Sequence, residues 1–295
     1  MKMVLAVSGG VDSMAMLDIF LHKFPPNNIV IATFDHGARE SSKNDADFVE
    51  KIVKLSGVSS ALKLRFYRGE APKTAKISEE EARDLRYGFL RKIAHQEKGE
   101  IFTAHHLDDL IESIIINYLR GTGIRGLAPM TSYGIRRPFI DGFLNPKEFN
   151  LTTFDKKTIL EYAAKHKIIF RQDPTNTEDN YLRNRIRGQA LALDPDTKQK
   201  IFKLWREQKA IIQEIDSLVE NLVPEDLRFK RATFQELDGE VAMEILRGGL
   251  NRAGVSTTRP QRKEFLKAIL EYKSGKKFNL PNNKLVEIKK QEFCL

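Results

Sequence analysis

Residues 3–17 read MVLAVSGGVDSMAML, and this stretch decides the fold. Met3–Val7 is an apolar run of strand length that stops at Ser8-Gly9-Gly10. From Met14 to Phe24 the apolar residues recur at helical spacing, and the pattern ends before Pro25-Pro26. A strand, a glycine turn and a helix in that order make a cradle for phosphate. The glycines let the backbone approach the anion, and the helix N-terminus adds free N–H groups and partial positive charge. Ser8 and Ser13 contribute hydroxyls. The loop is not of the Walker A type, because it has no lysine to reach a terminal phosphate, and no GxGxxG follows the strand. Asp12, an acid inside the loop, sits beside phosphate comfortably only with a divalent cation between them.

Working outward, short β-rich runs alternate with helical patterns. Ile29–Phe34, Ala61–Phe66 and Ile101–Ala104 read as strands; Asp45–Leu55, Ser78–Glu97 and Asp108–Leu119 read as helices. This alternation predicts an α/β fold with a doubly wound parallel sheet, whose ligands bind at the carboxyl ends of the strands. Residues 121–150, rich in Gly, Pro and Arg (RGTGIRGLAPM, GIRRPF), are expected as loops over that edge. Further helices are expected at Lys156–His166, within the Arg-rich end of Asp173–Arg187, and at Thr197–Leu222, Val241–Arg252 and Pro260–Tyr272. A hairpin is expected around Pro281-Asn282-Asn283. The expected division is a catalytic domain over 1–187 and a smaller, mainly helical domain over 188–295.

Two clusters belong to the rim of that cleft. TAHHLDDLIES places His105, Asp108, Asp109 and Glu112 at a helix start after the fourth strand. Asp109 and Glu112 are i,i+3 and Asp108 and Glu112 are i,i+4, so the carboxylates can share a face. Mg2+ shared between carboxylates and nucleotide oxygens would compensate their repulsion. Zinc is disfavoured, since His105 and His106 have no cysteine or spaced partner. FDHGARE puts Asp35, His36 and Arg39 beside the loop, and EEARDLRYGFL puts Arg83 and Arg86 near a helix start. Cations there oppose the helix dipole unless they face an anion.

Charge is uneven. The chain carries 49 Lys+Arg against 40 Asp+Glu, net +9. Residues 1–182 hold 26 basic and 24 acidic residues, while 183–295 hold 23 and 16, so the excess lies in the second part. That bias suggests an anionic partner, with nucleic acid leading. Arg183, Arg185, Lys198, Lys203 and Arg206 are the candidate phosphate contacts. Ile201, Leu204 and Trp205 are expected in the core. Cys294 is the one cysteine, which leaves no internal disulfide and no CxxC site and fits a reducing cytoplasm. No stretch approaches the roughly 20 apolar residues of a membrane span.

The SGGVDS loop resembles the PP-loop of the N-type ATP pyrophosphatases, whose fold is adenine nucleotide alpha-hydrolase-like and which cleave ATP between the α and β phosphates. Four further stretches, EARDLRY, TAHHLDDLIES, RGTGIRGL with IRRPF, and DPTNTEDNYLRNRIR, resemble the tRNA(Ile)-lysidine synthetase family in order across residues 3–187. In the last, Asp173, Thr175, Asn176, Arg183, Asn184 and Arg187 match the family pattern. The resemblance implies ATP held by Ser8, Gly9, Gly10, Val11, Asp12 and Ser13, with His36 and His105 beside it. It implies Mg2+ on Asp12 and Asp109, and catalytic roles for Asp109, Glu112, Arg83 and Arg187. Asp109 and Glu112 either help hold Mg2+ or orient and deprotonate an amine. The implied reaction joins free L-lysine to C2 of the wobble cytidine of a CAU-anticodon tRNA(Ile) through an adenylated base. Longer members carry a further C-terminal domain, so a short form is implied; the oligomeric state stays open, a homodimer included.

Three other functions share parts of this pattern. A tRNA thiolase of this fold needs catalytic or cluster-binding cysteines, and Cys294 stands alone. An ammonia-using amidating synthetase has no use for the RNRIR segment. A non-catalytic RNA-binding protein on the same scaffold predicts loss of Asp12, Asp109 or Glu112, and all three are present.

Overall fold

The computed structural model describes the chain except residues 36–39, 56–63, 73–77, 132–133, 150–152 and 172–180. Its contacts form two compact units, Met1–Arg206 and Glu207–Leu295.

The first unit is built on five parallel strands: β1 Lys2–Ala6, β2 Ile29–Asp35, β3 Arg65–Glu70, β4 Gly99–Phe102 and β5 Ile135–Arg136. Their spatial order is β3-β2-β1-β4-β5. Alternate side chains of each strand feed opposite cores, as the two-residue strand period demands. Met3, Leu5, Ile29, Ile31 and Phe102 pack on one face with Phe20 and Met16 of helix α1 (Val11–Lys23). Val4, Val30, Ala32 and Ile101 pack on the other with Tyr87, Leu90 and Ile93 of helix α3 (Glu79–Glu97). Helix α2 (Glu40–Leu55) adds Val49 and Val53 to the first face. The doubly wound expectation holds. β5, a two-residue strand from GIRRPF, lies where loops were expected.

The chain leaves β1 toward β2 on one side, while β4 pairs on the other. The carboxyl ends of β1 and β4 therefore diverge and leave a crevice between the loops that follow them. Into it opens helix α4 (Leu107–Leu119). Helices α5 (Lys156–Lys165) and α6 (Tyr181–Ala192) follow, and α7 (Pro195–Leu222) begins in this unit. The unit boundary falls inside α7, whereas the sequence placed it at 187/188. The physical reason is that the first turns of α7 are anchored in the first unit. Trp205 is 3% exposed and donates its indole N–H to the Pro129 carbonyl at 3.1 Å. Leu204, expected in the core beside it, is 64% exposed. Among the described residues no helix is long and apolar enough to cross a membrane.

The second unit contains helices α8 (Arg231–Glu236), α9 (Gly239–Arg252) and α10 (Arg259–Glu271). It also carries an antiparallel sheet in the order β6-β9-β8-β7, from β6 Arg228–Lys230, β7 Lys276–Leu280, β8 Lys284–Ile288 and β9 Glu292–Cys294. The expected hairpin is β7–β8. Its core centres on Phe229, Phe265, Phe293, Leu246 and Leu250. The ILRGGL segment lies in α9, where its glycines permit close packing. A Cβ on Gly248 would come within 2.4 Å of Val219 Cγ1, and one on Gly249 within 2.7 Å of Phe229 Cζ.

Candidate active site

The SGGVDS loop closes the cleft on the β1 side. Gly9 takes φ +87°, a conformation L side chains rarely adopt, and a Cβ there would meet Phe48 Cδ1 at 3.3 Å. Gly10 caps α1. Ser13 is buried, accepts the Ser8 N–H at 3.1 Å and donates to the Gly10 carbonyl at 2.9 Å. Its hydroxyl braces the loop from beneath, while Ser8 is exposed. From far along the chain, Arg171 donates its backbone N–H to the Gly9 carbonyl at 2.9 Å.

The cleft encloses about 200 Å³ and is lined by Ser8, Gly10, Asp12 and Ser13 on one side and by Thr103, His105 and Asp109 on the other, with Arg86 at its edge. The cleft therefore brings the loop together with His105 and Asp109 of the acid cluster. His36 lies outside the described residues, as does the DPTNTED segment, and the side chain of Arg183 is likewise not described.

The three acids of α4 do different work. Asp109 faces the cleft and folds back to accept the His106 N–H at 3.0 Å. Burial alone would raise its carboxyl, but His106, His105, that N–H bond and the Arg187 guanidinium hold it below the usual carboxylate range. Arg187 thus acts on Asp109 from α6, which packs against α4. Asp108 turns inward instead. It is 3% exposed, with Oδ1 2.7 Å from Lys198 Nζ and Oδ2 accepting the Lys156 N–H at 2.7 Å. Glu112 is buried one turn further along and is not among the residues lining the cleft. Asp108 is thus drawn to Lys198 and away from the shared carboxylate face expected with Asp109 and Glu112.

His106 occupies the middle of this acid group. Its Nε2 lies 3.5 Å from Asp109 Oδ2 and 3.8 Å from Asp12 Oδ1, and its Nδ1 lies 3.6 Å from Asp108 Oδ2. These are contacts, not hydrogen bonds, and among the described residues both buried ring nitrogens have no hydrogen-bond partner. His105 opens to the cleft and has Nδ1 2.9 Å from Thr103 Oγ1. Burial pushes it down to about 4, with Arg137, Arg86 and Arg83 adding to the effect and Asp109 opposing it, so the ring is neutral at pH 7.

Arginines form the cationic wall. A capping box, Ser78 with Glu81, starts α3 and sets Arg83 one turn in and Arg86 two turns in. Their guanidiniums lie 5.0 and 5.2 Å from the Tyr87 ring centre. Arg137, from IRRPF, is 5% exposed and donates to the Met130 carbonyl at 2.6 Å. Burial pushes Arg86 and Arg137 below the ordinary guanidinium range, and the Arg83 charge adds to it in both. Buried like charges of this kind are relieved by an anion. The sequence assigns Arg137 no role beyond its place in IRRPF.

Of the expected phosphate contacts, Arg185, Lys203 and Arg206 are exposed. Lys198 is corrected: it is 4% exposed, and its ammonium is spent on Asp108 and on Asp155 Oδ2 at 3.5 Å. Among the described residues, no three His, Cys, Asp or Glu side chains are arranged to hold a metal ion by themselves. Asp12 and Asp109, both reaching the cleft, fit a cation that takes one or two carboxylates and completes its shell with phosphate and water.

The PP-loop domain family matches residues 1–193. The chain belongs to the PP-loop domain family. The tRNA(Ile)-lysidine synthase of Thermotoga maritima is 32% identical over 234 residues, 77% of this chain and 54% of that protein. The tRNA(Ile)-lysidine synthase of Thermosipho africanus is 32% identical over 257 residues, 83% of this chain and 57% of that one. The chain spans about half the length of the curated relatives it matches. Among solved structures, the U34-tRNA thiolase NcsA from Methanococcus maripaludis shares the fold with a TM-score of 0.51, 16% identity and 72% of each chain covered. In this PP-loop chain the loop, the neutral His105, the ionised Asp109 and Arg86 face one cleft.

Proposed function

We propose that the chain carries the catalytic part of a tRNA(Ile)-lysidine synthetase. The observation that carries the reading is the match to synthases of that name across more than three quarters of the chain. ATP would lie in the PP-loop cleft. O2 of the wobble cytidine in a CAU-anticodon tRNA(Ile) attacks the α-phosphate, and pyrophosphate leaves. The ε-amine of free L-lysine then attacks C2, and the oxygen departs with AMP. The modified base pairs with A instead of G, so the tRNA reads AUA.

The chain's own residues can be given roles in that scheme. Backbone N–H groups of the loop and of the start of α1 bind the phosphates, aligned by the Ser13 brace. Arg83, Arg86, Arg137 and Arg187 hold the negative charge that develops at the α-phosphate and the adenylate. Asp109 stays ionised at neutral pH and attracts a cationic group, the substrate ammonium or a metal. Asp12 and Asp109 would hold Mg2+, which supplies charge neutralisation at the phosphates. His105, neutral, offers a ring nitrogen for a hydrogen bond without adding charge. Arg185, Lys203 and Arg206 bind the tRNA backbone. The site would operate in the cytoplasm.

The test incubates the protein with ATP, Mg2+, radiolabelled lysine and a CAU-anticodon tRNA(Ile) transcript. Label enters that tRNA and does not enter one with U or G at the wobble position. No incorporation under any condition removes the reading.

A further inference from the structure

Asp12 is an acid in a loop that faces phosphate, and its charge opposes a polyanionic ligand. A residue far along the chain answers that charge. The Lys156 ammonium lies 2.8 Å from both Asp12 carboxylate oxygens. Lys156 opens α5 and is anchored through its main chain, whose N–H donates to Asp108. The side chains of Lys156 and Asp12 are 23% and 28% exposed, so the pair is part-buried but still reaches solvent. An ammonium has three donors. Two positions are taken by the Asp12 oxygens, and among the described residues no acceptor takes the third.

We propose that Lys156 is a phosphate-binding residue: its ammonium contacts the pyrophosphate end of the nucleotide and cancels the charge of Asp12. The lysine absent from the SGGVDS loop is thereby supplied from the start of α5, which places it against the loop's own acid. The inference rests on reading the cleft as an ATP site.

Calorimetric titration of pyrophosphate, and separately of AMP, into the wild-type chain, K156M and K156R tests it, with Mg2+ present. K156M should weaken pyrophosphate binding about tenfold or more, the loss expected for one charge-assisted hydrogen bond to phosphate. AMP binding and the thermal midpoint should stay as in wild type, and K156R should retain most of the pyrophosphate affinity. The double variant D12N/K156M, compared with K156M in the absence of Mg2+ so that loss of the Asp12 carboxylate from a metal shell does not enter, should remain weak. Full recovery in that double variant would show that Lys156 only neutralises Asp12, and would overturn the phosphate contact. Unchanged pyrophosphate binding in K156M overturns it too, as does equal loss of AMP and pyrophosphate. If the wild-type chain binds neither pyrophosphate nor ATP, the ATP-site reading falls with it. If K156M behaves as expected but no lysine enters tRNA, the inference stands and the lysidine reading falls.

Discussion

Lys198 Nζ sits 2.7 Å from Asp108 Oδ1, with 4% of Lys198 and 3% of Asp108 exposed. The pair joins the first turn of α7 to the first turn of α4. A charge this deep is tolerated because its partners surround it: removing one member strands the other. Lys198→Met should therefore destabilise the protein by about 3 kcal/mol or more. Urea unfolding measures it. A phosphate contact would behave differently, lowering tRNA affinity while leaving the unfolding midpoint in place.

The exposed cations give the complementary result. Arg185→Ala, Lys203→Ala and Arg206→Ala should each weaken tRNA binding whatever the sequence, and each should reduce the slope of log K against log salt by about 1. Filter binding between low and moderate salt reads that slope. An unchanged slope in all three would move the tRNA surface elsewhere.

His105 makes stability depend on pH. The unfolded ring takes up its proton near 6.5, the folded ring only at about 4. Between those values protons bind the unfolded chain preferentially, so stability falls as pH drops from 6.5 towards 4. Above pH 7 the ring is neutral in both states and contributes nothing. In His105→Asn this component of the pH profile should disappear, which thermal melts at half-unit intervals will show.

The PP-loop itself is sensitive at Gly9. Alanine there must adopt φ +87° and place its Cβ 3.3 Å from Phe48. Gly9→Ala should cost about 1–2 kcal/mol, and it should also displace the loop, reducing ATP affinity more than stability. An equilibrium titration with ATP alongside a melt separates the two effects.

Strands β1 and β2 were legible because they are apolar runs buried on both faces, and Val4 and Leu5 need no partner knowledge to read as core. By contrast β3, the polar and half-buried RFYRGE of Arg65–Glu70, was expected four residues earlier at Ala61–Phe66. The loop was legible because strand, glycines and helix are contiguous. Long-range partners left no local trace. Nothing near Lys156 announces that its ammonium reaches Asp12, 144 residues away. Lys198 looked like its exposed neighbours because a lysine's spacing on a helix does not say which end of its side chain is buried. In α7, Trp205, Ile212 and Val219 are buried while Leu204, Ile211 and Leu218, each one residue earlier, are exposed. With apolar residues adjacent along the helix, period alone cannot choose the inner stripe. Strands β6 and β9, three residues each, are too short to show an alternation.

The Asp12–Lys156 pair has a consequence for biosynthesis. During translation Asp12 leaves the ribosome 144 residues ahead of Lys156, an interval on the order of ten to thirty seconds at ordinary elongation rates. Arg171, which holds Gly9, arrives later still. For that interval the nascent chain exposes a glycine loop and an unanswered acid with no closing partner. The nucleotide site is begun early and completed late, so a truncated or stalled product ending before α5 would have the loop without its cation.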